Sequence, residues 1–127
     1  MKRVIGIGGI FFKAKDKNLL CDWYKKHLGI PVEDWGGAVF KWTDIATLNK
    51  EAFTVWSPFK DDTSYFNPSE KSFMLNFVVD DLAPLITLLK SEGIEFIGEA
   101  IEEENGKFAW ILDPEGNKIE LWEPLKS

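Results

Sequence analysis

The sequence has a single cysteine, Cys21, and a single histidine, His27. One cysteine excludes an intrachain disulfide and any zinc site built from several thiolates, so nothing requires an oxidising compartment. We expect Cys21 to be a buried, inert thiol in a helix. One histidine excludes sites built from two or more imidazoles, and we interpret His27 as a solvent-facing residue near the C-terminus of the first helix.

The chain also lacks long apolar runs and is short of positive charge. No apolar segment approaches the roughly 20 residues that span a bilayer. The run after Lys2 and Arg3 stops at Lys13 without a small-residue cleavage site, so we interpret it as a strand and not as a signal peptide. Fifteen basic and twenty-one acidic residues give a net charge of −6, which disfavours nucleic acid and favours cationic ligands. We therefore expect a cytoplasmic protein with no nucleic-acid or membrane partner.

Aromatic residues, by contrast, are abundant. They make up 14% of the chain, with ten Phe and six Trp among 127 residues. A chain of this length suits one domain with a real core, and the rings predict a core or cavity lined by flat side chains.

The first half predicts a strand over residues 4–13, a helix from an N-cap at Asp16 to about His27, and short strands over residues 32–56. Residues 57–72 form a long loop that contains Phe59, Tyr65 and Phe66. This loop is either a linker or an aromatic lid over a pocket.

The second half predicts a strand over residues 73–79 and a helix that is capped by Asp80 or Asp81. Three strands follow at about 95–101, 107–112 and 118–122. Residues 113–117 read Asp-Pro-Glu-Gly-Asn, which is typical of a tight hairpin turn.

The two halves repeat each other. Asp16 and Asp81 lie 65 residues apart, and so do Gly9 and Met74. The tripeptide Trp-Ser-Pro at residues 56–58 is matched by Trp-Glu-Pro at residues 122–124, which is 66 residues later. Each half has the element order βαβββ. We therefore predict one α+β domain over residues 1–127, with module 1 at about 1–58, a loop over 59–71 and module 2 at about 72–127. The two tandem modules are expected to form a curved mixed sheet around a cavity.

Three segments, WYKKHLGI, NFVVDDL and DPEGNKIEL, resemble the vicinal oxygen chelate superfamily, which includes glyoxalase I, extradiol dioxygenases and bleomycin-resistance proteins. The resemblance implies paired βαβββ modules, commonly in a homodimer. It also places the ligand positions of the metal-dependent members at Gly9, Thr54, Met74 and Glu120. Only Glu120 offers a ligand for a hard metal, so we expect no metal and no cofactor.

Three roles stay open for Glu120, the one acid in this set. It can pair with Lys13, Lys41 or Lys107, it can meet a cationic or hydrogen-bonding group of a ligand, or it can act as a general base beside a carbonyl. A carboxylate in an aromatic cavity needs one of these partners because an unpaired buried charge is costly.

We predict that the protein binds a small aromatic or apolar organic molecule, cationic compounds included, without a metal, as the bleomycin-resistance branch does. Some of the aromatic residues on predicted strands would face the groove; these residues are Phe11, Trp42, Trp56, Phe108, Trp110 and Trp122. The predicted ligand-binding residues are Phe11, Trp42, Thr54, Trp56, Met74, Asn76, Trp110, Glu120 and Trp122. The alternatives are a glyoxalase or lyase-type enzyme, with Glu120 as base or an atypical metal site, and an interaction module whose groove is filled by its own side chains.

Overall fold

The computed structural model describes residue 3 and residues 7–125, except the side chain of Leu48. Within this part of the chain there are three helices and four strands. They are α1 (Lys17–Leu28), α2 (Trp42–Leu48), β1 (Leu75–Val78), α3 (Leu82–Ser91), β2 (Ile101–Glu103), β3 (Gly106–Leu112) and β4 (Lys118–Glu123).

The two longer helices begin close to where the sequence predicts, and α1 also ends there. The Asp16 side chain accepts a hydrogen bond from the Leu19 amide (3.0 Å), and the Gly29 amide donates to the Tyr24 carbonyl at the other end of α1. Helix α3 follows Asp81, whose side chain makes no capping hydrogen bond, and Glu123 Oε1 instead accepts from the Leu82 amide (2.8 Å). At 12 residues, α1 is the longest described helix, and no described helix is long and apolar enough to cross a bilayer.

The four strands form one mixed sheet in the order β1-β4-β3-β2. Strand β1 runs parallel to β4, and the other two pairings are antiparallel. The predicted turn is confirmed, because the Asp113 amide donates to the Asn117 carbonyl and the Gly116 amide donates to the Asp113 carbonyl, each at 3.0 Å. The register places Glu120 opposite Asn76 on one side and Trp110 on the other.

The strand predicted over residues 95–101 is largely wrong. Only an isolated bridge between Phe96 and Ile111 forms there, and β2 begins at Ile101. Gly98 has a φ of 68°, a left-handed conformation that interrupts an extended strand.

One face of the sheet carries the hydrophobic core. Helices α1 and α3 cover this face through Leu20, Tyr24, Leu82 and Leu89. The sheet contributes Leu75, Ala109, Ile111, Ile119 and Leu121 to the same core. Because side chains alternate along a strand, Glu120 points to the opposite face. The α+β class and the mixed sheet are confirmed, and the βαβββ order is present in the second half.

The strands predicted in the first half are not seen in the described residues. Residues 7–14, 30–41 and 49–60 contain no strand, and residues 42–48 form α2 where a strand was expected; residues 4–6 of the first predicted strand lie outside the described part. A strand needs a neighbour for its backbone hydrogen bonds, whereas a helix satisfies its own. In α2 the Thr47 hydroxyl also donates to the Asp44 carbonyl (2.7 Å). The tandem-module arrangement and its boundaries stay a prediction.

Candidate functional site

Glu120 lies in the middle of β4 on the face opposite the core, and only 7% of its surface is exposed. Asn76 Nδ2 donates to Oε1 at 2.7 Å. Trp110 Nε1 and the Tyr65 hydroxyl donate to Oε2 at 2.8 and 2.6 Å. Two of these three donors, Asn76 and Trp110, are direct cross-strand neighbours of Glu120. The sequence therefore builds a carboxylate whose two oxygens are both held by neutral donors.

A row of aromatic rings runs beside Glu120 across β3 and β4. Phe108 lies between Trp110 and Trp122, with ring centroids 6.5 and 6.1 Å away and interplanar angles of 12° and 2°. The rings are nearly parallel because Phe108 and Trp110 alternate on one strand while Trp122 is the cross-strand partner of Phe108. Phe53 from the first half packs at the end of the row, 5.7 Å from Trp122. The row forms an apolar layer next to the buried carboxylate, and its Phe108 and Trp122 rings are themselves buried, at 9% and 7% exposed.

The loop over residues 57–72 closes over this face, as a lid would. The Tyr65 ring meets the Trp110 ring edge-on, with centroids 6.3 Å apart at 86°. Lys118, two residues before Glu120, donates from Nζ to the Tyr65 carbonyl (2.6 Å) and lies over the rings of Tyr65 and Trp110 at 5.3 and 5.7 Å. Sequence reasoning left Tyr65 and Lys118 out of the site. Strand alternation from Glu120 could have identified Lys118, since residues two apart share a face.

Burial and the Glu120 carboxylate alter the titration of the two neighbouring groups. The pKa of Tyr65 is raised above its usual range because burial disfavours the phenolate, and because its hydroxyl donates to the Glu120 carboxylate. The pKa of Lys118 is lowered because burial disfavours the ammonium, although the negative charge of Glu120 acts in the opposite direction. Tyr65 is therefore a neutral donor near pH 7.

The predicted lysine partner of Glu120 is absent. Among the described residues, no lysine nitrogen lies within 4.0 Å of the Glu120 carboxylate, and Lys107 instead contacts Glu123 at 3.9 Å. Glu120 thus has hydrogen-bond donors but no direct ion pair.

Two predictions outside the site also change. His27 is not solvent-facing, because its side chain is only 10% exposed, its Nδ1 lies 2.9 Å from Glu92 Oε1, and its ring packs on Trp23. Cys21 is half-buried, with Sγ 3.8 Å from the Gly36 carbonyl oxygen.

The other predicted ligand-binding residues form two groups, one in the second half of the chain and one in the first half. Asn76, Trp110 and Trp122 lie with Glu120 on the aromatic face, and Met74 is half-buried just before β1. Phe11, Trp42 and Trp56 are 95%, 77% and 79% exposed, on segments outside the sheet. Thr54 is exposed as well. A place for these four residues in the ligand site stays a prediction.

A separate open cleft of about 410 Å³ lies at the far end of β3. Trp23, Phe96 and Leu112 are among its lining residues, and Glu120 is not. The cleft is also lined by a buried acid, Asp113, whose carboxylate accepts hydrogen bonds from the Tyr24 hydroxyl and from the Asn117 amide and side chain. This cleft is the rival location for a bound ligand.

The residues around Glu120 do not fit the metal that the resemblance implies. Gly9, Thr54 and Met74 supply no carboxylate or imidazole, and both oxygens of Glu120 face the hydrogens of N–H and O–H donors. Within residue 3 and residues 7–125, no three His, Cys, Asp or Glu side chains are grouped so that they could hold a metal ion.

Comparisons with known proteins define the family. A search among curated proteins found no match. The fold is similar to that of a protein from the mobile metagenome of V. pseudocholerae (TM-score 0.53, 16% identity, covering 94% of this chain and 96% of the other). It is also similar to a virulence protein from Salmonella typhimurium (TM-score 0.53, 16% identity, covering 92% and 100%). The family model for residues 14–121 matches well over half of the sequence, and the chain therefore belongs to the glyoxalase/bleomycin resistance protein/dioxygenase superfamily.

Proposed function

We propose that the protein binds a small, planar aromatic or apolar molecule on the aromatic face beside Glu120. The observation that supports this proposal is a buried carboxylate, held by neutral donors and flanked by the parallel rings of Phe108, Trp110 and Trp122. The half-buried Trp110 ring offers stacking surface, and the buried Phe108 and Trp122 rings extend the apolar layer beside it. Glu120 offers an acceptor for one donor group of the ligand, cationic donors included.

The arrangement favours binding over catalysis. A general base needs a free oxygen that can approach a substrate proton, and all three hydrogen bonds at Glu120 come from the protein itself. Asn76 and Trp110 are fixed by the sheet, whereas Tyr65 belongs to a loop. A ligand donor that replaces the Tyr65 hydroxyl leaves the other two bonds in place, and this replacement is what binding requires.

The indole N–H signals of the six tryptophans allow a test by NMR titration. Suitable probes are indole, which is neutral and donates one N–H, and N-methylquinolinium, which is cationic. We expect saturable shifts of the Trp110 and Trp122 signals with little change at Trp35, which lies outside the sheet. Glu120→Gln should weaken indole binding about 5-fold or more, since a charged acceptor becomes neutral.

The matched control for that substitution is Glu104→Gln, which removes the same charge at the exposed end of the β2–β3 hairpin. Equal affinities for all three proteins, or shifts confined to Trp23 in the rival cleft, would contradict the proposed site. Comparing the two probes shows whether a positive charge on the ligand helps.

We also propose that the protein acts as a homodimer. Large apolar side chains of the first half are exposed, and we infer that a second copy covers them. They include Ile10, Phe11, Trp35, Val39, Phe40, Trp42, Phe53, Val55 and Trp56. Sedimentation equilibrium should give twice the 14.5 kDa chain mass, and Phe11→Ser with Trp42→Ser should weaken association. A monomer at every accessible concentration would contradict this proposal.

A further inference from the structure

We infer that the ligand of the aromatic face is a phenol or a related hydroxyaromatic compound, and that Tyr65 is a built-in occupant which this ligand displaces. The inference rests on the proposed function, because it names the class of molecule that binds at the same carboxylate. Tyr65 already shows how an aromatic ring with one hydroxyl fits there.

Each part of the Tyr65 side chain has its own contact in the site. The hydroxyl donates to Glu120 Oε2 at 2.6 Å, and the ring edge meets Trp110 at 6.3 Å between centroids. Lys118 Nζ lies 5.3 Å from the ring centroid on the face of the ring. A free phenol that takes the same position makes the same three contacts.

These contacts also separate phenols from other aromatic compounds. An unsubstituted ring leaves Glu120 Oε2 without the donor that Tyr65 gave it, which is costly for a buried carboxylate. A cationic ring brings a second positive charge toward Lys118 Nζ, which lies over the ring position. A neutral ring with an O–H donor satisfies both groups.

Tyr65 can leave because other contacts hold the loop. Its side chain is 41% exposed, so it can swing out to solvent without crossing the core. Lys118 Nζ donates to the backbone carbonyl of Tyr65, not to its side chain, and the Ser69 hydroxyl donates to the Gly116 carbonyl (2.6 Å). The lid over residues 57–72 therefore stays attached to the sheet after the phenol ring is withdrawn or removed.

Tyr65→Ala gives a direct test because it removes the phenol and keeps both anchors of the loop. The probes are p-cresol, which is the tyrosine side chain as a free molecule, and toluene and 4-methylanisole, which have similar shapes but no O–H. The readout is the Trp110 indole N–H signal in NMR titrations. We expect p-cresol to bind Tyr65→Ala about 10-fold or more tightly than either of the other two, as a hydrogen bond to a charged group predicts.

The wild-type protein and Tyr65→Phe are the controls. Both keep a ring in the site, so p-cresol should bind each of them at least about 10-fold more weakly than it binds Tyr65→Ala. Tyr65→Ser is a second opened variant should the alanine protein not fold, and the same order of affinities is expected for it.

The outcomes distinguish this inference from the proposed function. Equal affinity for p-cresol and toluene in the opened variants overturns the phenol class but keeps an aromatic binding site. Equal affinity of p-cresol for the wild type and the opened variants overturns the role of Tyr65 as occupant. Failure of every ring compound to move the Trp110 signal in folded, opened variants overturns both the inference and the proposed function.

Discussion

Asn76 and Glu120 lie directly opposite each other on the parallel strands β1 and β4, and Asn76 Nδ2 donates to Glu120 Oε1 at 2.7 Å. This pairing joins the first strand of the second half to its last strand at the level of the site. It also fixes the carboxylate so that Oε2 is left to Trp110 and to the loop residue Tyr65. Residues of the sheet therefore donate to both oxygens of Glu120, and Oε2 has one further donor, Tyr65, which a ligand can replace.

Asn76→Asp should destabilise the protein at neutral pH by about 1–3 kcal/mol, because it replaces a donor with a second carboxylate beside Glu120. The loss should shrink as pH falls, because repulsion between the two acids favours uptake of one proton by the pair, and the protonated acid can then donate to the other. Urea unfolding at pH 7 and pH 3.5 measures both values. Asn105→Asp adds the same charge at an exposed turn and should change stability by less than about 0.5 kcal/mol.

Tyr24→Phe should cost about 1–2 kcal/mol, because the buried Tyr24 hydroxyl donates to Asp113 Oδ2 at 2.7 Å. Asp113 keeps its bonds from the Asn117 amide and side chain, so the turn itself should survive. Chemical denaturation at pH 7 checks the size of the loss. Tyr65→Phe, at a more exposed position, should cost less; a larger loss there would contradict the assignment of Tyr24 to the core.

Tyr24 also predicts that the stability of the folded protein depends on pH under alkaline conditions. Burial, and then the hydrogen bond to Asp113, raise the pKa of Tyr24 above its usual range. The unfolded chain therefore loses this proton from about pH 10 upward while the folded protein keeps it, so stability falls as pH rises, by at most about 1.4 kcal/mol per pH unit. Tyr24→Phe should show a shallower fall above pH 10 than the wild type. If the plots of unfolding free energy against pH are parallel for the two proteins, Tyr24 does not contribute to the alkaline loss of stability.

Glu115→Gln should weaken the contact between the β3–β4 turn and the start of α1. The Asp16 amide and the Lys15 amide donate to the two carboxylate oxygens at 2.8 and 2.7 Å, and these bonds lower the pKa of Glu115. The stability from this depressed pKa is present above the unfolded value near 4.3 and is lost as pH falls through the folded value. The difference in stability between the wild type and Glu115→Gln should therefore vanish under acid conditions. Thermal unfolding between pH 7 and pH 3 tests this; a difference that persists at pH 3 contradicts it.

Gly106→Ala should destabilise the β2–β3 hairpin by more than about 1 kcal/mol. Gly106 has a φ of 132°, and an added Cβ would run into the Glu123 carbonyl and the Trp122 indole. The Trp122 N–H bond to the Asn105 carbonyl (2.8 Å) should be lost with it. Unfolding experiments give the cost, and the Trp122 indole signal reports the bond. Gly93→Ala is the control, because Gly93 also has a positive φ but has open space around it. The loss of stability in Gly93→Ala measures backbone strain alone, and the additional loss in Gly106→Ala measures the collision.

Helices α1 and α3 and the β3–β4 turn could be predicted from the sequence because their signals are local. The Asp16 cap and the Asp113–Asn117 turn each act within a few residues, and both are found in the structure. The backbone conformation of residues 30–60 could not be predicted in this way. The aromatic and β-branched segments of this region were read as strands, but strand formation depends on a partner that no local pattern reveals.

The site was only partly predictable for a related reason. Glu120, Asn76, Trp110 and Trp122 were identified because they follow from strand positions and a recognisable turn. Tyr65 was missed because its position depends on how a 16-residue loop crosses the sheet, and Lys118 because a lysine beside an acid looks like a surface residue. The contact that places Tyr65 joins distant parts of the chain, whereas Lys118 follows from strand alternation once Glu120 is assigned to a face.

A crystal structure of the protein with bound 2-naphthol tests the central claim most directly. We predict that its ring lies against Trp110 and that its hydroxyl donates to Glu120 Oε2 in place of the Tyr65 hydroxyl, within about 3 Å. Density for the ligand in the cleft at Trp23 and Phe96, with Tyr65 still bonded to Glu120, would contradict the account.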